Sequence, residues 1–248
     1  MTTKIEEPDE FICESSYYLI NGVKHWRVTR VKSIINKPGL NNWRARSDYA
    51  QTQKYLTERA NFGSKAHKLF ELIVNGKKVN PDNYEEQELK DDLDIFHEVK
   101  DKCKLKPFCT EQHLWGEFQV IGDTVRIAGT ADYIGEYTSY DQFLPTTGRG
   151  KNKKFVESKF PKGAKVVGDW KTSPGIYGDF WLQIAVYVIM YERLTGEKLD
   201  GGFILQMRPD GKGRDFVIEE KTREELEDYF ILMTHCMPLF QAQQEGLL

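Results

Sequence analysis

Near residue 105 the hydrophobic period of this 248-residue chain changes, and with it the kind of structure the chain can build. Before that point apolar residues recur at helical spacing. Trp43, Tyr49, Tyr55, Leu56, Phe62, Leu69, Phe70 and Ile73 predict two consecutive helices between about Leu40 and Val74, stopped at Gly76. Leu89, Leu93, Ile95, Phe96 and Val99 form the buried stripe of another helix from about Tyr84 to Lys104. Beyond it the alternation is that of strands: Glu111 to Val120, a Gly122-Asp123 turn, Val125 to Ala128, and Thr130 to Tyr137, an antiparallel meander.

The flanks add to this pattern. Asn21-Gly22 between Tyr18-Leu19-Ile20 and His25-Trp26-Arg27-Val28 predicts a hairpin over Ser16 to Val28, with Thr29 capping a short helix from Val31 to Ile35. After a loop-like stretch, Thr138 to Gly163, come a short apolar strand (Ala164 to Trp170) and an apolar helix from about Asp179 to Leu194. A hairpin (Gly202 to Met207, Phe216 to Ile218) and a capped helix from Thr222 to about Gln243 follow. Helices on either side of a central mixed sheet make an α/β or α+β core. A chain that is 40% hydrophobic and 12% aromatic is expected to fold as a single domain over 1–248. Its parts would be an N-terminal hairpin and helical wall (about 16–105) and a core (106–248) with a basic insertion at 138–163.

Composition narrows the function classes. No run of about 18 apolar residues is present, and the opening Met-Thr-Thr-Lys-Ile-Glu-Glu-Pro-Asp-Glu lacks the apolar centre of a signal peptide, so a cytoplasmic protein without a membrane partner is expected. Cys13, Cys103, Cys109 and Cys236 are scattered, without C-x-x-C or a nearby His at finger spacing, which argues against zinc or an iron–sulfur cluster. A net charge of −3 is unsuited to coating nucleic acid but compatible with a local basic groove. Arg149, Lys151, Lys153, Lys154, Lys159, Lys162 and Lys165, against Glu157 alone, supply one between residues 146 and 165.

Asp169-Trp170-Lys171 places a carboxylate and an ammonium on the same side of a strand. Acid-x-Lys also occurs at Glu88, Glu98, Glu157, Asp210 and Glu219, so the spacing alone says nothing. Asp169 differs in following Val166-Val167-Gly168, where a charge is costly without a partner or a metal. Asp132, in Gly129-Thr130-Ala131-Asp132-Tyr133-Ile134, is a second acid within an apolar strand, and two such acids suffice for Mg²⁺, which keeps several waters.

The ordered set Gly63-x-x-x-His67, Gly129-Thr130-Ala131-Asp132, Asp169-Trp170-Lys171 and Gln183-x-x-x-Tyr187 resembles the RecB-type branch of the PD-(D/E)XK nucleases, over roughly Tyr17 to Met207. The resemblance implies a restriction-endonuclease-like α/β core, with a central mixed β-sheet flanked by helices and an N-terminal helical elaboration. It implies metal ligation by Asp132, Asp169 and the Trp170 main-chain carbonyl, with His67 as an additional ligand and Glu111 as a carboxylate near the metal. Lys171 would orient water or stabilise developing charge, and Gln183 and Tyr187 would line the site or touch nucleic acid. Without Gly63, His67 would read as an ordinary helix histidine; Gln183 and Tyr187 read equally well as polar edges of a core helix.

One or two Mg²⁺ or Mn²⁺ ions and a DNA substrate, as single strands or duplex ends, follow from the resemblance. The expected activity is a DNA exonuclease of a phage or bacterial repair and recombination setting. The alternatives are an endonuclease of the same fold or a cleavage-deficient DNA-binding module. Arg149, Lys151, Lys153 and Lys154, with Arg44 and Arg46, are the expected nucleic-acid contacts; Trp43 and Tyr49 suit base stacking and core packing equally well. The 37-residue step from Asp132 to Asp169 is long for the family, and the cysteine cluster of its iron–sulfur members is absent. Polarity and oligomeric state are left open.

Overall fold

The computed structural model of the chain describes residues 5–138, 143–146, 154–208 and 215–248, with backbone alone for 143–146 and 154–156. A central eight-stranded mixed sheet is flanked by helices on both faces. The strands are β1 (Phe11–Cys13), β2 (Tyr17–Ile20), β3 (Val23–Arg27), β4 (Lys106–Val120), β5 (Asp123–Tyr137), β8 (Ala164–Lys171), β9 (Gly201–Met207) and β10 (Phe216–Thr222). The helices are α1 (Val28–Val31), α2 (Pro38–Arg46), α3 (Tyr49–Val74), α4 (Gln87–Lys102), α5 (Gly178–Thr195) and α6 (Arg223–Gln244).

β5 organises the sheet. β4 lies antiparallel along its whole length on one edge. The other edge is shared: β3 runs parallel to it at Trp26↔Ile127 and Arg27↔Ala128, and β8 runs antiparallel from Tyr133↔Gly168 to Tyr137↔Ala164. Residues 129–132 therefore lie where one neighbour has ended and the next has not begun. In open α/β sheets such breaks leave room for ligands beyond strand ends.

The side-chain alternation of β5 also inverts here. Val125, Ile127 and Ala131 join the core beneath α5 and α6 from odd positions, whereas Ile134 does so from an even one, and Tyr133 and Tyr137 face the α3–α4 layer. Opposite the break, Glu111 of β4 has a left-handed φ of 46°, an irregularity of the kind that clusters at functional sites.

Several elements begin elsewhere than the sequence pattern predicts. Thr29 caps nothing: α1 starts at Val28 after Arg27, because the chain turns directly out of β3. β4 begins at Lys106, so Glu111 sits within the strand and not at its start. Val125–Ala128 and Thr130–Tyr137 are one continuous strand, since Gly129 keeps its ladder partner Leu114. The 138–163 stretch contains a small ladder of β6 (Phe143–Thr146) with β7 (Lys154–Glu157). The N-terminal hairpin, with Asn21 and Gly22 at φ of 48° and 75°, is continuous with the central sheet through β3.

The α3–α4 layer is held by aromatic packing. Phe96 of α4 stacks on Phe70 of α3 at 4.4 Å between centroids and meets the Trp170 ring edge-on at 4.9 Å. Trp170, between Asp169 and Lys171, thus anchors that strand end from the opposite face. Phe96→Ala should destabilise the protein by about 3–5 kcal/mol, as expected for a fully buried aromatic, and a lowered urea midpoint with unchanged m-value would show it.

Candidate metal centre and active site

Three elements meet at the break in β5. Glu111 comes from β4 at the position facing Asp132, and His67 comes from α3. One ligand atom each from His67, Glu111 and Asp132 lies within 4.8 Å of the others, a donor set suited to a divalent cation. His67 Nδ1 is 3.3 Å from Asp132 Oδ2. The same oxygen accepts a hydrogen bond of 2.9 Å from the Trp170 main-chain N–H, which ties the ends of β5 and β8 together where their ladder stops.

Asp169 stands one position beyond the last β5–β8 pair, next to Asp132. Its Oδ2 is 2.5 Å from Lys171 Nζ, yet receives no hydrogen bond of acceptable geometry among the described residues. Lys171 supplies the cation that this buried carboxylate needs, and the fit to a divalent metal rests on the donors of His67, Glu111 and Asp132. Lys171 Nζ in turn lies 4.8 Å from the centroid of the Phe180 ring.

The titration behaviour follows from crowding. Burial pushes Glu111 up to about 7, and the neighbouring Asp132 charge adds to this. Burial, with the Asp132 charge assisting against Lys171, also raises Asp169. For Asp132 the burial effect is outweighed by His67, Lys171 and the Trp170 N–H, and its carboxyl is held below the usual range. Burial opposes protonation of His67 and of Lys171, but Asp132 raises the first and Asp169 with Asp132 raises the second.

Gln183 and Tyr187 approach from the α5 side. Gln183 Nε2 donates to Tyr187 Oη at 3.2 Å, and burial, then the charges of Tyr18, Asp169 and Asp132, keep the phenol protonated. A Cβ at Gly129 would fall 2.6 Å from Tyr187 Oη, so the glycine admits that ring. A Cβ at Gly63 would lie 3.5 Å from Oγ1 of Thr172, the residue after Lys171, an ordinary van der Waals distance. Arg44 and Arg46 lie exposed on α2. Trp43 and Tyr49 are also on the surface, 40% and 77% exposed, so neither is a core residue. Arg149, Lys151 and Lys153 lie outside the described residues, as does the side chain of Lys154.

Three further groups were not singled out from the sequence. Lys32 is buried and pairs with Asp179 of α5 at 3.2 Å, and Lys37 reaches the same Oδ2 at 2.9 Å. Lys32 falls on the stripe of Val28, Val31 and Ile35, which was the available signal. Arg59 of α3 donates to the Thr172 carbonyl at 3.0 Å while pairing with Glu88, which also binds Arg208 at 2.6 Å. Arg208 is itself paired with the fully buried Asp92.

No protein-family model and no curated protein matches this chain. Among solved structures it is similar to SSO0001 (16% identity, 83% of this chain and 75% of the other covered, TM-score 0.37). It is also similar to a "putative exonuclease" from Eubacterium rectale (14% identity, 90% and 82% covered, TM-score 0.49). Neither likeness is strong enough to carry a function across.

A proton on Glu111 competes with a cation. Between about pH 6 and 8 the affinity for Mn²⁺ should rise as Glu111 ionises, with proton release on binding. Titration calorimetry in buffers of different ionisation enthalpy measures both, and Glu111→Gln should reduce the dependence, leaving the part that belongs to His67, which is also raised above its ordinary value. Equal affinity of the unaltered protein at pH 6 and 8 would remove Glu111 from the ligand set.

Proposed function

We propose that this protein is a divalent-metal-dependent nuclease that hydrolyses phosphodiester bonds in DNA, acting from strand ends. The observation that carries the reading is the meeting of His67, Glu111 and Asp132 beside the buried Asp169–Lys171 pair. Carboxylates and one imidazole suit Mg²⁺ or Mn²⁺ better than a soft metal, and one or two ions are compatible with four such side chains.

When bound, the cation would neutralise charge on the scissile phosphate and make a water more acidic. Asp132, Glu111 and His67 would hold it, with Asp169 and the Trp170 carbonyl completing its surroundings. Lys171, kept protonated by Asp169 and Asp132, would donate hydrogen bonds to the attacking water or to the phosphate oxygens as their negative charge grows. Trp170 fixes the strand from the far side, and Arg59 holds the Thr172 carbonyl, so the Lys171 backbone is braced on both sides. Gln183 and Tyr187 would bound the space into which the sugar-phosphate enters, and Tyr187 would act as a neutral hydrogen-bond donor or acceptor there.

Labelled single- and double-stranded DNA, linear and circular, incubated with Mg²⁺ or Mn²⁺ tests this reading. Linear substrates should be degraded and circular ones spared, with chelation abolishing activity. Asp132→Ala and Lys171→Ala should lower the rate by about 10²–10³, the size of effect seen when a transition-state charge stabiliser is lost. Cleavage of circular substrates would select an endonuclease. If the unaltered protein leaves every substrate intact, the nuclease reading fails.

A further inference from the structure

Beside the metal centre, between the 29–37 segment and α2, lies a pocket of about 460 Å³. Lys32, Lys37 and Arg44 line it, together with the neutral donors Thr29, Asn36 and Asn41, and no acidic side chain does. Asp179 accepts from both lysines, so one carboxylate faces two ammonium groups. The Arg44 guanidinium makes no ion pair among the described residues. The pocket is thus left with a surplus of two positive charges, which matches the charge of about −1.5 to −2 on a phosphate monoester at pH 7. Burial, only partly offset by Asp179, lowers Lys32 to about 8, so an anion would strengthen its ammonium form.

Position links this pocket to the reaction. Lys32 Nζ and Lys171 Nζ lie 5.0 and 4.8 Å from the centroid of the same Phe180 ring, so the two ammonium groups are separated by about 10 Å at most. That is about three nucleotides at the ~3.4 Å axial rise of a B-form strand. The α2 helix buries none of its own residues, and its exposed Trp43 meets the exposed Tyr55 edge-on at 5.9 Å. Neither ring lines the pocket, so the class of ligand rests on the pocket's charge.

We propose that the Lys32–Lys37–Arg44 pocket is a phosphate subsite that holds the nucleic-acid strand within a few nucleotides of the scissile bond. The proposal rests on the nuclease reading for the identity of the strand. Two sources supply the same chemistry, a terminal monoester or an internal diester.

The test is fluorescence anisotropy in EDTA, with single-stranded oligonucleotides of one sequence carrying a 5′-phosphate, a 3′-phosphate or hydroxyls at both ends. Lys37→Gln and Arg44→Gln should each weaken binding about tenfold, the loss of one hydrogen bond to a charged group, and should reduce the salt slope by about 0.7. Lys54→Gln on exposed α3 surface should leave binding unchanged. A loss confined to one phosphorylated oligonucleotide assigns the pocket to a terminal phosphate, and a loss across all three assigns it to a diester. Unchanged binding in both variants, or an equal loss in Lys54→Gln, overturns the proposal. Because the readout needs no hydrolysis, failure of the pocket is separable from failure of the nuclease reading, which the cleavage assay decides.

Discussion

Glu111, Asp132 and Asp169 bring three carboxyl groups together at one part-buried place, and the cost of charging them there is the constraint on which the rest of the site depends. Burial raises the proton affinity of such carboxyls, and nearby like charge adds to the effect. Glu111 and Asp169 show it directly, while Asp132 escapes because His67, Lys171 and the Trp170 N–H all favour its ionised form. A bound cation would offset charge that the protein alone only partly screens.

Keeping such a cluster together requires a rigid frame. The frame is the change of neighbour along β5, where β3 stops and β8 begins, with β4 continuous behind it. The gap leaves polar groups of residues 129–132 free of a strand on that edge, and helices from both layers reach it: His67 from α3, Tyr187 from α5. Trp170 locks the strand end into the α3–α4 aromatic layer, and the Arg59–Glu88–Arg208–Asp92 chain ties the residue after Lys171 to α4. Buried charge networks of this sort often add little net stability, but they allow few alternative arrangements.

The feature separating Asp169 from five other acid-x-Lys pairs was legible because a charge at the end of an apolar strand is anomalous. Gly129 stood in the strand motif around Asp132, and only the structure shows what comes close to it, Tyr187 Oη. The place of Glu111 was harder to see. A left-handed φ at a glutamate has no local signature, and facing Asp132 depends on register across two strands. Lys32 lay on an apolar stripe, but its partner Asp179 is 147 residues away, beyond the reach of any local pattern.

Hydrophobic period, turn dipeptides and capping residues act within a few residues, so the chain itself determined most of its helices and strands, though not β1 or the β6–β7 ladder, together with the mixed α/β class and the anomalous acids within apolar strands. The change of neighbour along β5, the gathering of His67, Glu111 and Asp132, and the pairing of Lys32 and Lys37 with Asp179 were decided by tertiary structure alone. Each requires segments far apart in sequence to meet at ångström distances. Local periodicity says which face of an element is buried, but only packing of the whole sheet and both helical layers sets what that face meets.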